Sequence, residues 1–302
     1  IVENYELKVY GGVLGKTVGV YIGRPFEGWC KEAIEDKFGK IDRYVNKGMS
    51  GQKILDELEK VIREKDIKVA AISNLFIAET ENVLGIAKFI KQQFPEIITV
   101  IGGMNPTIIN QELIEREEID FIIRGEGEWA LQDLVSNLQN GVSLDTVSGL
   151  VSKNNKAGNE RLYGNLDELP PLDYSILPKE YLLGENPPRI NIELSRGCKH
   201  RCSFCSVREF WQGKVRAHNP EKIIREMEQL RELGYRGEFT MEESTIEFKS
   251  ERVKKFLRKL VDFRNDFSFD YTATRYDSID EESISLLDKV GFQTIIFGLE
   301  SA

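Results

Sequence analysis

The sequence predicts an α/β protein in two parts, each built from repeated βα units. Short, wholly apolar runs alternate with longer stretches in which apolar residues recur every three or four positions. Such runs are typical of parallel strands buried on both faces, and the longer stretches are typical of helices that pack on them. A segment rich in Asn, Gly, Asp and Pro separates the two series. We therefore expect a doubly wound parallel sheet, a linker and then a partial βα barrel.

The βα rhythm divides the chain into residues 1–145, 146–188 and 189–302. The middle range is the predicted linker, because it holds five of the nine prolines. The last range is expected to contain the first four βα units of a barrel. The predicted strands are 17–22, 69–72, 97–101 and 120–123 in the first part, and 190–194, 238–241, 269–273 and 293–297 in the second. The predicted helices are 27–38, 51–62, 83–94, 129–138, 220–233, 251–261 and 280–290.

Length, charge and hydropathy restrict the class of function. The 302 residues carry a formal net charge of −9 and the sequence pI is about 5.1, which argues against DNA or tRNA as a partner. No apolar run reaches the ~18 residues of a membrane span, and no signal peptide opens the chain. A reducing, cytoplasmic compartment is therefore expected. Because the chain begins with Ile1 and ends at Ala302 just after a strand-like run, we expect it to be part of a longer protein.

Three of the four cysteines lie within eight residues of each other. Cys198, Cys202 and Cys205 form a CxxxCxxC pattern in the segment RGCKHRCSFCSV. Soft thiolate ligands select zinc, copper(I) or iron–sulfur clusters. A structural zinc site needs four ligands, whereas a cubane cluster held by three cysteines keeps one iron open to an outside ligand. The pattern therefore favours a cluster.

Two plainer interpretations compete with a cluster. A disulfide is disfavoured by the odd number of cysteines in the motif and by the lack of a secretion signal. A zinc site would need a fourth ligand, and His200 and His218 lack the usual zinc-finger spacing. The remaining cysteine, Cys30, is interpreted as a structural thiol.

The motif, with Phe204 before its last cysteine, resembles the cluster loop of the radical S-adenosylmethionine (SAM) enzymes. The resemblance implies that the three cysteines ligate a 4Fe–4S cluster whose free iron chelates the amino and carboxylate groups of SAM. Glu242 and Glu243 would receive the ammonium group of SAM, although a solvated acidic pair is the plainer alternative. Packing under the loop is the corresponding alternative for Phe204. The full set of SAM contacts implied by the resemblance is Phe204, Glu242, Glu243, Arg275, Glu300 and Ser301.

Three segments of the first part resemble the cobalamin-binding domain of the cobalamin-dependent radical SAM enzymes, a Rossmann-like sheet. They read AISNLF (71–76), VIGGMNPT (100–107) and RGEGE (124–128), and each is found at the end of a predicted strand. Ligands of parallel sheets bind beyond the carboxyl ends of the strands, and glycines there allow a bulky ligand to approach closely. The implied cobalamin contacts are Ser73, Asn74, Leu75, Gly102, Gly103, Met104, Gly125 and Glu126.

Some familiar motifs are missing from the first part. Neither a GxGxxG fingerprint nor a Walker A loop is present, and the axial-histidine motif DxHxxG is absent as well. Because His200 and His218 are the only two histidines, residues 1–199 offer no histidine ligand below the cobalt of a bound cobalamin. A degenerate domain that binds no corrin is the alternative.

The resemblance covers nearly the whole chain and implies a radical SAM methyltransferase. The cluster would cleave SAM to a 5′-deoxyadenosyl radical, and cobalamin would carry a methyl group to an unactivated carbon of a small molecule. A flavodoxin- or ferredoxin-type electron donor would reduce the cluster. The alternatives are a cobalamin-associated radical cyclase or oxidase, and a non-catalytic sensor that binds cluster and corrin. A tRNA methylthiotransferase would need three further cysteines in the first domain, which contains only Cys30.

Overall fold

A computed structural model describes residues 51–65, 67–156, 158, 162, 164–172, 174, 182–185, 187–263 and 267–298. The chain divides into two compact units, Ile1–Leu162 and Tyr163–Ala302. The predicted strand at 17–22, the predicted helix at 27–38 and Cys30 lie outside the described residues. Within the described part, no helix combines the length and apolar character needed to cross a bilayer.

In the described part of the first unit, the strands of one sheet follow one another in chain order. The sheet contains β1 (Val69–Ser73), β2 (Ile98–Gly102), β3 (Phe121–Ile123) and β4 (Leu150–Val151). The first three strands are parallel, and β4 runs antiparallel to β3. Its helices are α1 (Gly51–Lys65), α2 (Thr80–Gln93), α3 (Met104–Leu113) and α4 (Gly127–Asn140). The α/β prediction is confirmed here, but β4 lies within the range predicted as linker, and the whole of helix α3 was not predicted.

Helices cover both faces of this sheet, as a doubly wound arrangement requires. Successive residues of a strand point to opposite faces. On β2, Ile101 packs in a buried cluster with residues of α1, α2 and α3, such as Ile90. Its neighbour Val100 packs instead with Ala130 and Leu134 of α4. The unbroken apolar run of this strand is therefore explained by burial on both sides.

The described strands of the second unit are β5 (Ile190–Asn191), β6 (Ser195–Gly197), β7 (Val215–Ala217), β8 (Glu238–Met241), β9 (Ser268–Arg275) and β10 (Phe292–Gly298). Four of them form an open parallel array in the order β10–β9–β8–β5. A separate hairpin pairs β6 with β7. The helices are α5 (Val207–Phe210), α6 (Pro220–Leu233), α7 (Glu251–Phe263) and α8 (Glu281–Val290). The four predicted βα strands are thus present as a partial barrel array.

Helix α6 begins and ends where its sequence predicts. The side chain of Asn219 accepts a hydrogen bond from the backbone N–H of Glu221, at 3.0 Å, and Pro220 occupies the first turn, where its missing N–H has no cost. Gly234 ends the helix in the left-handed region, at φ +95°. Its apolar stripe packs in the same core as Phe239 of β8, which is fully buried.

The segment just before the βα array is anchored to α6. Lys222, a buried residue of this helix, donates from Nζ to the carbonyl oxygens of Leu166 (3.2 Å) and Leu169 (2.8 Å). The carboxylate of Asp167 accepts from the backbone N–H of Asn219 at 2.8 Å. Part of the predicted linker therefore packs as an element of the second unit.

Candidate functional site

The cysteine loop of the second unit lies between the two strands of a β-hairpin and leads into a short helix. Ser195 of β6 pairs with Ala217 of β7, and Cys198 follows the last residue of β6 directly. The backbone N–H of Cys205 donates to the carbonyl of Cys202 at 3.2 Å, which closes a turn just before α5. The sequence predicted a strand at 190–194 before the loop, but this strand ends at Asn191, and the hairpin was not predicted.

All three cysteines of the loop are free thiols of intermediate exposure. Burial raises the pKa of the Cys198 thiol, and the nearby Cys205 and Cys202 sulfurs raise it further, although the backbone of His200 opposes them. As thiolates, the sulfurs of Cys202 and Cys205 would therefore each repel the sulfur of Cys198. Iron ions would remove this repulsion, so the donor set fits an iron–sulfur cluster.

The loop residues are not arranged around a single ion. Among the residues that the structure describes, no three His, Cys, Asp or Glu side chains are grouped as ligands of one metal ion. A mononuclear tetrahedral site would need its ligands within about 2.3 Å of one centre. A cluster instead takes one thiolate per iron, and this tolerates a wider spacing of the three sulfurs.

Phe204 projects from the loop into solvent. Its side chain is 66% exposed, which excludes the alternative that it packs under the loop. An exposed aromatic residue between two ligating cysteines leaves the neighbouring backbone accessible to a ligand. A SAM contact at this position stays a prediction.

Arg275, the last residue of β9, lies at the cysteine loop. Its guanidinium donates from Nε and Nη2 to the carboxylate of Asp277, at 2.9 and 2.8 Å, and this pairing raises the pKa of Arg275. The third nitrogen, Nη1, lies 3.5 Å from the Sγ atom of Cys202. The sequence placed Arg275 among the SAM contacts but gave no sign of its partner Asp277.

Glu242 follows the end of β8 and is held through its backbone. Its N–H donates to Oδ1 of Asn191 at 2.7 Å, and its carbonyl accepts from Nδ2 of the same amide at 2.9 Å. Its carboxylate accepts from the hydroxyl of Tyr271 at 2.7 Å. The side chain of Asn191 thus fixes the backbone of Glu242 and so holds the Glu242 side chain at the carboxyl edge of the parallel strands.

Glu243, the next residue, is bound to the strand that leads into the cysteine loop. Its Oε1 atom accepts from the backbone N–H groups of Leu194 and of Ser195, the latter at 2.8 Å. Its Oε2 atom lies 2.5 Å from the hydroxyl of Ser195. Burial raises the pKa of Glu243 to about 8, against the opposing hydrogen bonds from Ser195 and Leu194. The neighbouring glutamates therefore have different environments.

The raised pKa of Glu243 predicts a pH-dependent stability. In the unfolded chain an ordinary glutamate loses its proton near pH 4.5, so the folded state binds the extra proton between about pH 4.5 and 8. The contribution of Glu243 is therefore fully present below pH 4.5 and is lost as the pH rises to about 8. The loss should be on the order of 3–5 kcal/mol, and Glu243→Gln should remove it. Urea unfolding at pH 5 and pH 8 measures the difference.

Glu242→Gln is the matched control for this measurement. It removes a carboxylate at the adjacent position but keeps Glu243, so the wild-type pH dependence should persist. An equally steep loss of stability in Glu243→Gln would show that another group causes it.

The predicted SAM contacts Glu300 and Ser301 lie outside the described residues.

In the first unit, the predicted cobalamin residues come together at one edge of the sheet. Ser73 is aligned with Gly102, and Gly102 is aligned with Ile123, so the three parallel strands end side by side. The backbone N–H of Asn74 donates to the carbonyl of Gly102 at 2.8 Å. Because βα loops leave the sheet at this edge, it is where such sheets bind ligands.

Large apolar side chains are exposed where the chain leaves this edge. Leu75, Phe76 and Ile77, just after β1, are 46%, 50% and 75% exposed. Ile108 of α3 and Trp129 in the first turn of α4 are 40% and 37% exposed. Single exposed apolar residues are common, but one such residue beyond each of three neighbouring strands indicates a surface for a large apolar ligand. Of these five residues, only Leu75 was a predicted cobalamin contact, although Phe76 follows it in the segment AISNLF.

Asn74 is fully buried at the same edge. Its Nδ2 donates to the hydroxyl of Thr80 at 3.2 Å, and Nδ2 of Asn105 donates to that hydroxyl at 2.8 Å. Within the described residues, Oδ1 of Asn74 has no hydrogen-bond partner. A buried acceptor without a partner is costly unless a ligand or water supplies a donor. The amide groups around a corrin ring could do so, and this edge therefore fits cobalamin.

The remaining predicted residues of this edge are held in place by hydrogen bonds or are partly or fully buried. The N–H of Gly125 donates to the hydroxyl of Thr107 at 2.9 Å, and that hydroxyl in turn donates to the carbonyl of Gly103 at 2.8 Å. Glu126 is buried, with 5% exposure, and Met104 is half-buried at the start of α3. Asn105 and Thr107 lie in the segment 100–107 that resembles the cobalamin-binding domain, although neither was predicted as a contact, and Thr80 was not predicted at all.

The structure changes the interpretation of Gly103. Because glycines at the strand ends were expected to leave room for a bulky ligand, a side chain at Gly103 was expected to enter the ligand space. The structure instead directs a Cβ atom at the backbone of Asn74, 2.5 Å from its carbonyl oxygen, and Gly103 has φ +114°. The expectation is therefore wrong for Gly103, which is a glycine because two chain segments touch there.

Family models match both units of the chain. The B12 binding domain model matches residues 40–135. The Radical SAM superfamily model matches residues 192–302, which include the cysteine loop. The order of the two domains is the one that the sequence predicted.

Several known proteins are similar over most of this chain. The hopanoid C-3 methylase of Methylococcus capsulatus is 28% identical over 77% of this chain and 45% of its own length. The anaerobic magnesium-protoporphyrin IX monomethyl ester cyclase of Rubrivivax gelatinosus is 31% identical over 82% of this chain and 47% of its length. The radical SAM methyltransferase TsrM from Kitasatospora setae, solved with cobalamin and a 4Fe–4S cluster, superposes with a TM-score of 0.63, covering 81% of this chain and 50% of TsrM at 17% identity. The chain thus spans about half the length of these relatives.

Proposed function

We propose that this chain, which belongs to the radical SAM enzymes that carry a B12-binding domain, holds the cofactor sites of a methyltransferase acting on a small molecule. The observation that carries the proposal is the loop of three free, half-exposed thiols with one guanidinium beside it. Three soft ligands at one loop suit a cluster with an open iron. The exposed apolar edge of the first unit supplies a second site, suited to cobalamin.

Each set of residues has a separate task in this proposal. Cys198, Cys202 and Cys205 hold the 4Fe–4S cluster, and Glu242 receives the ammonium group of SAM. The carboxyl edge of the first sheet binds the corrin through exposed apolar side chains and the buried amide of Asn74. When bound, the cofactors supply the reductive cleavage of SAM and the methyl carrier. The protein's part is to bind and orient them and to exclude water.

An electron donor of the flavodoxin or ferredoxin type and a reducing, cytoplasmic compartment complete the proposal. The proposed cluster requires such a compartment, because its three cysteines have to stay reduced in order to bind iron. The absence of histidine from residues 1–199 supports a cobalamin without a histidine ligand from this part of the chain.

Glu242→Gln is expected to weaken SAM binding and to leave the cluster intact. The substitution replaces a carboxylate by an amide and removes one charge-assisted hydrogen bond to an ammonium group. The loss should be about 1.5–3 kcal/mol, or roughly ten- to a hundredfold in affinity. SAM titration of the reconstituted protein, followed by the change in the reduced cluster spectrum, measures it.

Glu243→Gln is the control in this titration, because the oxygens of Glu243 are already bound to Leu194 and Ser195. It should keep the wild-type affinity within about threefold, because a side chain whose oxygens are already bound is not expected to receive the ammonium group. A larger loss of affinity in Glu243→Gln than in Glu242→Gln would exchange the proposed roles of the two residues.

The function itself is tested with SAM that carries a deuterated methyl group. The full chain is reconstituted anaerobically with iron, sulfide and cobalamin, reduced with dithionite and incubated with labelled SAM. A methyltransferase should place the deuterated methyl group on the cobalamin recovered from the protein. The cob(II)alamin electron spin resonance spectrum should show no coupling to a histidine nitrogen. Failure of the wild-type chain to retain cobalamin would favour the degenerate domain and contradict the proposal.

A radical cyclase is the second candidate, because a cyclase is 31% identical over 82% of this chain. A cyclase would consume SAM and release 5′-deoxyadenosine without placing label on the cobalamin. The labelled-methyl experiment therefore separates the two candidates before a substrate is known.

A further inference from the structure

The guanidinium of Arg275 has two partners on two different edges. Nε and Nη2 form a two-pronged pair with the carboxylate of Asp277, at 2.9 and 2.8 Å. Nη1 lies on the other edge, 3.5 Å from the Sγ atom of Cys202. One rigid, planar cation thus connects a carboxylate with a predicted cluster ligand.

The backbone determines this placement. Arg275 is the last residue of β9 and is aligned with Gly298 of β10. Asp277 lies in the single 3-10 turn that follows, Tyr276–Ser278. Ser278 is buried, and its carbonyl accepts from the N–H of Lys249 at 3.1 Å. The backbone on either side of the pair is therefore fixed by strand pairing and by the hydrogen bond of Ser278. The two hydrogen bonds to the carboxylate of Asp277 then fix the direction of Nη1.

A second cation of the loop provides a contrast. Lys199, next to Cys198, pairs with Glu247 at 2.5 Å, and its side chain is 60% exposed. The side chain of Arg275 is 34% exposed. Solvent screens the ammonium of Lys199 more strongly than the guanidinium of Arg275. Both residues carry one positive charge near the loop, and the contrast lies in the contact of Arg275 with the Sγ atom of Cys202.

We propose that Arg275 is a positioning residue that raises the reduction potential of the cluster, by donating from Nη1 to the Cys202 thiolate, with Asp277 aiming the guanidinium and offsetting part of its charge. The inference rests on the proposed function, because it requires Cys202 to ligate the cluster. It also assigns Arg275 to the cluster instead of the SAM carboxylate. Hydrogen bonds to cluster sulfurs and the local net charge are established determinants of such potentials.

The direction of the effect follows from the charge balance. Reduction moves one electron from an external low-potential donor to the cluster, and in this step Arg275 neither gains nor loses a proton or a bond. The added negative charge interacts favourably with the guanidinium and unfavourably with the carboxylate. Arg275→Met should therefore lower the potential, and Asp277→Asn should raise it. The double variant removes both charges and should lie between them.

The test is a redox titration of the reconstituted full chain, with dithionite as the reductant and electron spin resonance as the readout. Arg275→Met should shift the reduction equilibrium about tenfold toward the oxidised cluster, which is about 59 mV for a one-electron couple. Asp277→Asn should shift it the opposite way by a smaller factor. Arg275→Lys keeps the charge but not the fork, and its shift should be smaller than that of Arg275→Met. Lys199→Met, the charge-matched control, should shift it less than threefold.

The outcomes separate a failure of this inference from a failure of the proposed function. Opposite shifts in the Arg275 and Asp277 variants support the proposal, since general damage to the fold would not give opposite signs. If Arg275→Met does not assemble a cluster, Asp277→Asn and Arg275→Lys decide the sign. Unchanged potentials in variants with full iron content would overturn the inference, and a loss of SAM affinity at unchanged potential would return Arg275 to the SAM site. Failure of the wild-type chain to assemble a cluster would instead overturn the proposed function.

Discussion

Replacing any one of Cys198, Cys202 and Cys205 with alanine is expected to abolish the iron–sulfur cluster. The three free thiols lie on one loop, and in the proposed function each supplies the protein ligand of one iron. Two cysteines would leave two irons without protein ligands, so the cluster should not survive desalting. Anaerobic reconstitution should give about four irons and four sulfides for the wild-type chain and close to none for each variant.

The control is Cys30→Ala, which removes a thiol far from the motif in sequence and should leave the iron content unchanged. The reduced wild-type spectrum should change when SAM is added, because the open iron takes it as a ligand. Stable zinc in place of iron after anaerobic purification would contradict the cluster assignment.

Gly103→Val is expected to unfold the first unit and not merely to prevent cobalamin binding. Its backbone has φ +114°, and a Cβ atom there would lie 2.5 Å from the carbonyl oxygen of Asn74. A β-branched residue in this region costs about 1–3 kcal/mol, and the overlap with fixed backbone adds a similar amount. A loss of roughly 3–5 kcal/mol is a large part of the stability of a domain. Urea unfolding followed by circular dichroism measures it.

Gly102→Ala is the matched control one residue earlier. Its Cβ atom would lie 3.7 Å from the carbonyl oxygen of Ile123, an ordinary contact, so the unit should fold. Cobalamin retention by this variant then reports on the ligand space alone. A wild-type urea midpoint for Gly103→Val would contradict the role given to this glycine.

The βα architecture was predictable because strands that are buried on both faces need apolar residues at successive positions. Val100 and Ile101 are both apolar since each faces a different helical layer. The ends of α6 were predictable for a different reason, because Asn219 and Gly234 perform local tasks that few other residues perform. In both cases a short stretch of chain contains the whole physical cause.

The rest of the site depends on distant partners, and short patterns do not contain them. The hairpin of β6 and β7 is polar and short, so it has no alternating apolar signal. Glu242 and Glu243 are identical in sequence, but only the fold brings Ser195 to Glu243 and Tyr271 to Glu242. The cysteine spacing, by contrast, is a local pattern, so the cluster motif could be predicted from the sequence alone.

The hydrogen bonds of Lys222 determine where a fragment containing only the second unit has to start. Lys222 is buried, and two of its bonds end on the carbonyls of Leu166 and Leu169. A fragment that starts at residue 189 would keep the lysine but lose both carbonyls, and a buried cation without acceptors is costly. A recombinant second unit should therefore start near residue 163, so that the acceptors of this lysine are expressed together with it.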